Sequence, residues 1–239
     1  MNAPNNLRPP AKNGLMRAIQ SIMKTSFFSI ILALSTLVTI AEPIRVACVG
    51  DSITYGAAIK NRAANCYPTV LGKLLGKGYE VRNFGVNGAT LLKKGDRPYW
   101  RLGAFKAATD FAPQIVIIKL GTNDTKPQNW GKAAADFEAD LRALAAHFRG
   151  LPSKPKVYLC LPVPVYQDRW GINEKTVTKG VIPVIQKVAK AEKLPVINLY
   201  QALSGKPKMF PDKIHPNAAG AKLMAETVRD ALLKSDRTK

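Results

Sequence analysis

A serine, a histidine and an aspartate stand in this chain in a pattern that suits acyl transfer. His215 is one of only two histidines and follows Asp212 by three residues, between Pro211 and Pro216. A carboxylate at that spacing in a turn can reach one imidazole nitrogen. It then sets the tautomer and stabilises the imidazolium, leaving the other nitrogen free as a base. Alone, Asp-x-x-His would occur in many exposed loops by chance. Ser52 closes the tripeptide Gly50-Asp51-Ser52, directly after an apolar run. At a strand end its hydroxyl would project where backbone N–H groups favour anionic oxygen, although the bare tripeptide also reads as a turn with a helix cap. Acyl transfer further needs donors aimed at the developing oxyanion. Gly88, in Asn83 to Thr90, can offer an unobstructed backbone N–H or simply form a tight loop. Asn123, in Gly121-Thr122-Asn123-Asp124, can offer its amide or cap its own loop. Each element alone favours the plainer reading. All four, in this order and at strand ends, point to a nucleophile, a base, an orienting acid and oxyanion donors. There is no Gly-x-Ser-x-Gly elbow. The other histidine, His147, falls about 80° off the apolar stripe of a helix and reads as a half-exposed surface residue.

The elements that must position these groups follow from periodicity. Five short runs read as strands: Ile44 to Val49 ending in Gly50, Tyr79 to Phe84, Gln114 to Leu120, Val157 to Leu161 and Pro195 to Leu199. Their near-continuous apolar character suits parallel strands covered on both faces. Between them lie amphipathic segments. In 132–148 the stripe is Phe137, Leu141, Leu144 and Phe148. In 174–192 it is Val177, Val181, Val184 and Val188, with Lys175, Lys179, Lys187 and Lys190 on the other side. Pro183 inside that segment implies a kink or two shorter helices. A last helix follows Pro216-Asn217, with Met224, Val228, Ala231 and Leu232 buried, and Ser235 to Lys239 as a frayed tail. Strands alternating with helices imply right-handed crossovers and one doubly wound α/β domain. In such sheets chemistry gathers at the carboxyl edge of the strands.

Length and charge bound the rest. The chain has 239 residues, 46% hydrophobic, with 36 Lys+Arg against 16 Asp+Glu and a net charge of +20. This is globular composition, with room for one domain or at most two small ones. Residues 1–41 carry Arg8, Lys12, Arg17 and Lys24 without an acid, then an uncharged run with an apolar centre at Phe27 to Val38, then Thr39-Ile40-Ala41. That describes a secretory signal peptide, or a retained N-terminal anchor, with the functional domain at 42–239. Removing those four charges from +20 leaves +16. Export, to the periplasm or beyond, makes disulfides permissible. Cys48 and Cys160 nonetheless read as buried free thiols, and Cys66 pairs only if the fold brings a partner close. No cysteine–histidine cluster suggests a metal. The lysines are spread along helices without an aromatic-and-basic motif, which argues against nucleic acid and leaves at most a weak attraction to anionic glycans or a cell surface.

The four blocks, Gly50-Asp51-Ser52-Ile53, Asn83 to Thr90, Gly121 to Asp124 and Asp212 to His215, resemble the SGNH hydrolase superfamily, also called GDSL esterases and lipases. They span nearly the whole chain after the leader, with Ile53 where the eponymous leucine would be. The resemblance implies a three-layer α/β/α sandwich on a flavodoxin-like, five-stranded parallel sheet. It implies Ser52 as nucleophile, His215 as base and acid, and Asp212 as its partner. The oxyanion hole would be the Ser52 and Gly88 N–H groups and the Asn123 amide, with no metal or organic cofactor. Residues 50–56, 95–100 and 121–130 are similar to bacterial secreted carbohydrate esterases of the sialate O-acetylesterase-like type. That similarity implies acetyl removal from sugar hydroxyls. Tyr99, Trp100 and Trp130 would then be substrate contacts stacking on sugar, unless they pack beneath the loops. The same triad also serves lysophospholipases, arylesterases and thioesterases, and an idle carbohydrate- or surface-binding module is the non-enzymatic alternative. Without a long apolar insertion, small acyl groups are favoured. Oligomeric state is not encoded in these patterns.

Overall fold

The computed structural model of the protein describes Met1 and residues 42–236. The leader reading and the end of the tail therefore lie outside the described residues. The five apolar runs become β1 (Ile44–Gly50), β2 (Tyr79–Gly85), β3 (Ile115–Lys119), β4 (Lys156–Leu161) and β5 (Val196–Asn198), each within about one residue of its expected span. Every ladder is parallel, and the order is β2-β1-β3-β4-β5. This is the flavodoxin-like sheet that the family resemblance implied.

The larger helices are α1 (Tyr67–Leu75), α2 (Gly103–Asp110), α3 (Phe137–Arg149), α4 (Ile182–Ala191) and α5 (Ala218–Asp236). Alternate strand residues face opposite sides. Ala47, Val49, Val116, Ile118, Val157 and Leu159 pack with α2, α3 and α4. Val46, Cys48, Ile115, Ile117, Tyr158 and Cys160 pack with α1 and α5. Helices therefore cover both faces, which is why the strands read as continuous apolar runs. Cys48, Cys66 and Cys160 are all buried and free, and burial pushes the Cys48 and Cys160 thiols above their ordinary range.

Two segments differ from expectation. The 132–148 run is interrupted. A short helix, Pro127–Ala133, and a single tight turn, Ala134–Asp136, precede α3, because Ala133 leaves helical geometry at φ −140°. In 174–192 two helical pieces, Glu174–Thr176 and α4, are joined by a wider turn rather than by a gap. Residues Val177–Val181 form a π turn, with the Ile182 N–H donating to the Val177 carbonyl, and Pro183 sits in the first turn of α4. The wide turn moves aside the carbonyl that a proline ring would otherwise strike. The buried stripe keeps Val177, Val181 and Val188 and differs at one position. Ile185 is buried where Val184 was expected, after Val177 and Val181.

The sheet positions the site through its register. Gly50 at the end of β1 lies opposite Gly85 of β2 and Lys119 of β3, so three strands end level. The connections then leave to opposite sides, which opens a crevice at the switch point between β1 and β3. Gly50 has no space for a side chain, since a Cβ there would lie 2.1 Å from Thr54 Oγ1 and 2.7 Å from the Lys119 carbonyl oxygen. Phe148 is fully buried between α3 and the sheet. Phe148→Ala is expected to cost about 3–5 kcal/mol, measured as a lower urea midpoint with unchanged slope.

Candidate active site

The turn after β1 is built around Asp51. Its Oδ1 accepts the Ile53 N–H at 2.9 Å and caps the short helix Ser52–Tyr55. Asn83 clamps the turn to β2, with Nδ2 donating to the Thr54 carbonyl and Oδ1 accepting from the Gly85 N–H, both at 2.9 Å. Beneath lies Lys119, fully buried like Asp51. Its Nζ donates to Asp51 Oδ2 at 3.0 Å and to Thr122 Oγ1 at 2.7 Å. One ammonium thus joins the Ser52 turn to the loop that carries Asn123.

Ser52 and His215, 163 residues apart, meet with Oγ 2.8 Å from Nε2. On the other side of the ring, Nδ1 lies 2.7 Å from Asp212 Oδ2. Asp212 Oδ1 also accepts the backbone N–H groups of Ile214 and His215. Burial pushes the Asp212 carboxyl up, but these N–H donors and the imidazole outweigh it, and the net displacement is downward. Asp212 is therefore an acceptor. That places the proton on Nδ1 and leaves Nε2 to accept from the Ser52 hydroxyl, which is the arrangement that activates a serine oxygen.

Ser52, Gly88, Asn123 and His215 line one cleft of about 280 Å³. Gly88 holds φ +75°, a conformation that glycine adopts freely. Asn123 Nδ2 donates to the Ala89 carbonyl at 3.1 Å, which fixes the amide beside the Gly88 loop and leaves its second N–H. The neighbouring Asp124 is fully buried and accepts the N–H groups of Leu91 and Leu92 at 3.0 and 2.8 Å, tying the two loops together. Burial raises the Asp124 carboxyl to about 7, against the pull of those two N–H donors and with a further push from the Asp51 charge.

The expected aromatic contacts are placed differently. Tyr99 is fully buried, with its hydroxyl donating to the Phe84 carbonyl at 2.8 Å. Trp100 donates Nε1 to the Leu91 carbonyl and lies against Phe105. Trp130 packs on Phe137 and on the bare backbone of Gly180. All three pack beneath the loops, and none lines the cleft. Trp170 does, together with Lys126 and Ile172. His147 stands apart from the site, half-buried, bonded to Thr109 Oγ1 and stacked on Phe105, and burial lowers its pKa. Sequence reasoning missed Lys119, Asp124 and Trp170. Lys119 had left a signal, as the one charge in the apolar run Gln114 to Leu120.

Residues 48–223 match the model of the GDSL-like lipase/acylhydrolase family. The chain belongs to that family. It is 42% identical over 209 residues to an acetylxylan esterase of Xylanibacter ruminicola, a match covering 80% of this chain and 43% of that protein. The chain thus spans less than half the length of that relative. Solved structures of similar fold include an aryl esterase of M. smegmatis and a carbohydrate acetylesterase of Sinorhizobium meliloti. The TM-scores are 0.66 and 0.65, at 22% and 21% identity, each match covering 80% of this chain and 99% of the other.

Two outcomes follow from the buried charges. Lys119→Met strands Asp51 without its counter-charge and is expected to cost about 3–5 kcal/mol of stability, read from urea unfolding. Asp124 titrates above its ordinary value, so its protonated form favours the fold. That contribution is complete below 3.8 and is lost as pH rises to about 7. The melting temperature of the unmodified protein, less that of Asp124→Asn, should fall between those values and level off above them.

Proposed function

We propose that the chain is an exported serine esterase that removes short acyl groups, acetyl foremost, from sugar hydroxyls. The observation that carries this reading is the unbroken path Ser52 Oγ–His215–Asp212, opening onto a cleft shared with Gly88 and Asn123. The Ser52 oxygen attacks the acyl carbonyl as its proton passes to His215 Nε2. The oxyanion is held by the Ser52 and Gly88 N–H groups and the Asn123 amide. Collapse breaks the bond to the alcohol, which leaves with the proton from Nε2. Water then gives a proton to Nε2 and attacks the acyl-serine, and Ser52 departs with that proton, releasing the carboxylic acid.

The small cleft supports an acetyl-sized acyl group. The names of the acetylxylan esterase relative and the carbohydrate acetylesterase neighbour support a sugar as the alcohol half. The basic and apolar leader in residues 1–41 supports export. With 4-nitrophenyl acetate as substrate, Ser52→Ala and His215→Ala should each nearly abolish turnover. Asn123→Ala should lower kcat by about 100–1,000-fold, while His147→Ala retains full activity. An active Ser52→Ala protein, or failure of a fluorophosphonate to label Ser52, would overturn the reading.

A further inference from the structure

We infer that a second cleft, beside the one over Ser52, is the subsite for the alcohol half of the ester, with Trp170 as its stacking wall and a pyranose ring as its occupant. The inference rests on the ester-hydrolase reading and adds the recognition of the leaving group to it. Trp170 is the one exposed tryptophan of the three, at 54%. A solvated indole is displayed here by rigid backbone. Arg169 and Ile172 exchange both N–H···O bonds, at 3.0 and 2.8 Å, across Trp170 and Gly171. Those two central residues hold φ +54° and +79°. This is a tight hairpin turn of the kind that needs two left-handed residues. Asparagine or glycine usually fills the first position, so a β-carbon bearing an indole is held there against its preference. The Arg169 guanidinium lies 4.4 Å over the ring and steadies it.

Position assigns this wall to the alcohol. The leaving oxygen takes its proton from His215 Nε2, so the alcohol must lie on the imidazole side of the cleft. The Trp170 ring centroid is 5.8 Å from that of His215. Gly88 and Asn123 serve the acyl oxygen instead. Trp170 and Ile172 also line the second cleft, of about 410 Å³, so the two spaces share a wall.

Chemistry selects the occupant. The second cleft sets the indole beside Asp168 and Arg169, both exposed. Asp168 Oδ1 accepts the Glu174 N–H, which leaves Oδ2 available, and Arg169 makes no ion pair among the described residues. A pyranose meets all of these at once. Its C–H face covers the indole, and its hydroxyls donate to the carboxylate and accept from the guanidinium. An alkyl chain in the same place would take water from both charges and return no hydrogen bond.

The test compares two acetyl esters on unmodified protein, Trp170→Ala and Trp170→Phe. One is ethyl acetate, whose alcohol is too short to enter the second cleft. The other is a mono-O-acetylated methyl pyranoside. For Trp170→Ala, the ratio of kcat/KM for the pyranoside over ethyl acetate should fall by about tenfold, carried by KM. Trp170→Phe should restore most of that ratio. An unchanged ratio in Trp170→Ala, or a fall carried only by kcat, overturns the inference. So does an unmodified enzyme that cleaves ethyl acetate but not the pyranoside. Cleavage of neither ester overturns the hydrolase reading beneath it, and the inference with it.

Discussion

The Lys119 ammonium and the Asp51 carboxylate meet at 3.0 Å with neither side chain exposed to water. Such a pair is expensive to bury, and an apolar pair of equal volume can be as stable. What it adds here is position. Asp51 spends its oxygens on Lys119 and on the N–H of Ile53, and Lys119 also holds Thr122. The carboxylate therefore cannot rotate without stranding an ammonium, and the helix it caps cannot shift without stranding the carboxylate. The Ser52 turn and the loop of Asn123 are held in one frame, and the cleft is defined between them.

A second buried carboxylate extends the frame. Asp124 binds the N–H groups of Leu91 and Leu92, and Asn123 binds the Ala89 carbonyl. The Gly88 loop is thus anchored to the β3 loop by side chains rather than by a strand ladder. The proposed oxyanion donors are thereby fixed before any charge develops.

Much of this was legible in the sequence, and the exceptions have physical causes. The strands appeared as apolar runs because both faces of the sheet are covered. Ser52, Asp212 and His215 appeared because few residue types can move a proton from a hydroxyl. The π turn did not appear, since it answers a steric conflict at Pro183 that period counting does not resolve. Tyr99, Trp100 and Trp130 were placed near the edge, but composition alone does not tell an aromatic that stacks on ligand from one that fills space under a loop. Trp170 lies in a turn without periodicity, and its exposure depends on two left-handed residues. Lys119 is charged, yet its role depends on a partner 68 positions away.

The 163-residue separation of Ser52 and His215 also bears on how the protein is made. The serine opens the short helix just after the first strand, whereas the histidine stands just before the last helix. A parallel sheet closes its loops late, because chain entropy is lost before distant pairings repay it. During synthesis Ser52 emerges from the ribosome long before His215. A chain still growing therefore carries Ser52 without its imidazole partner. The order of the residues along the chain thus makes the Ser52–His215 contact one of the last to form.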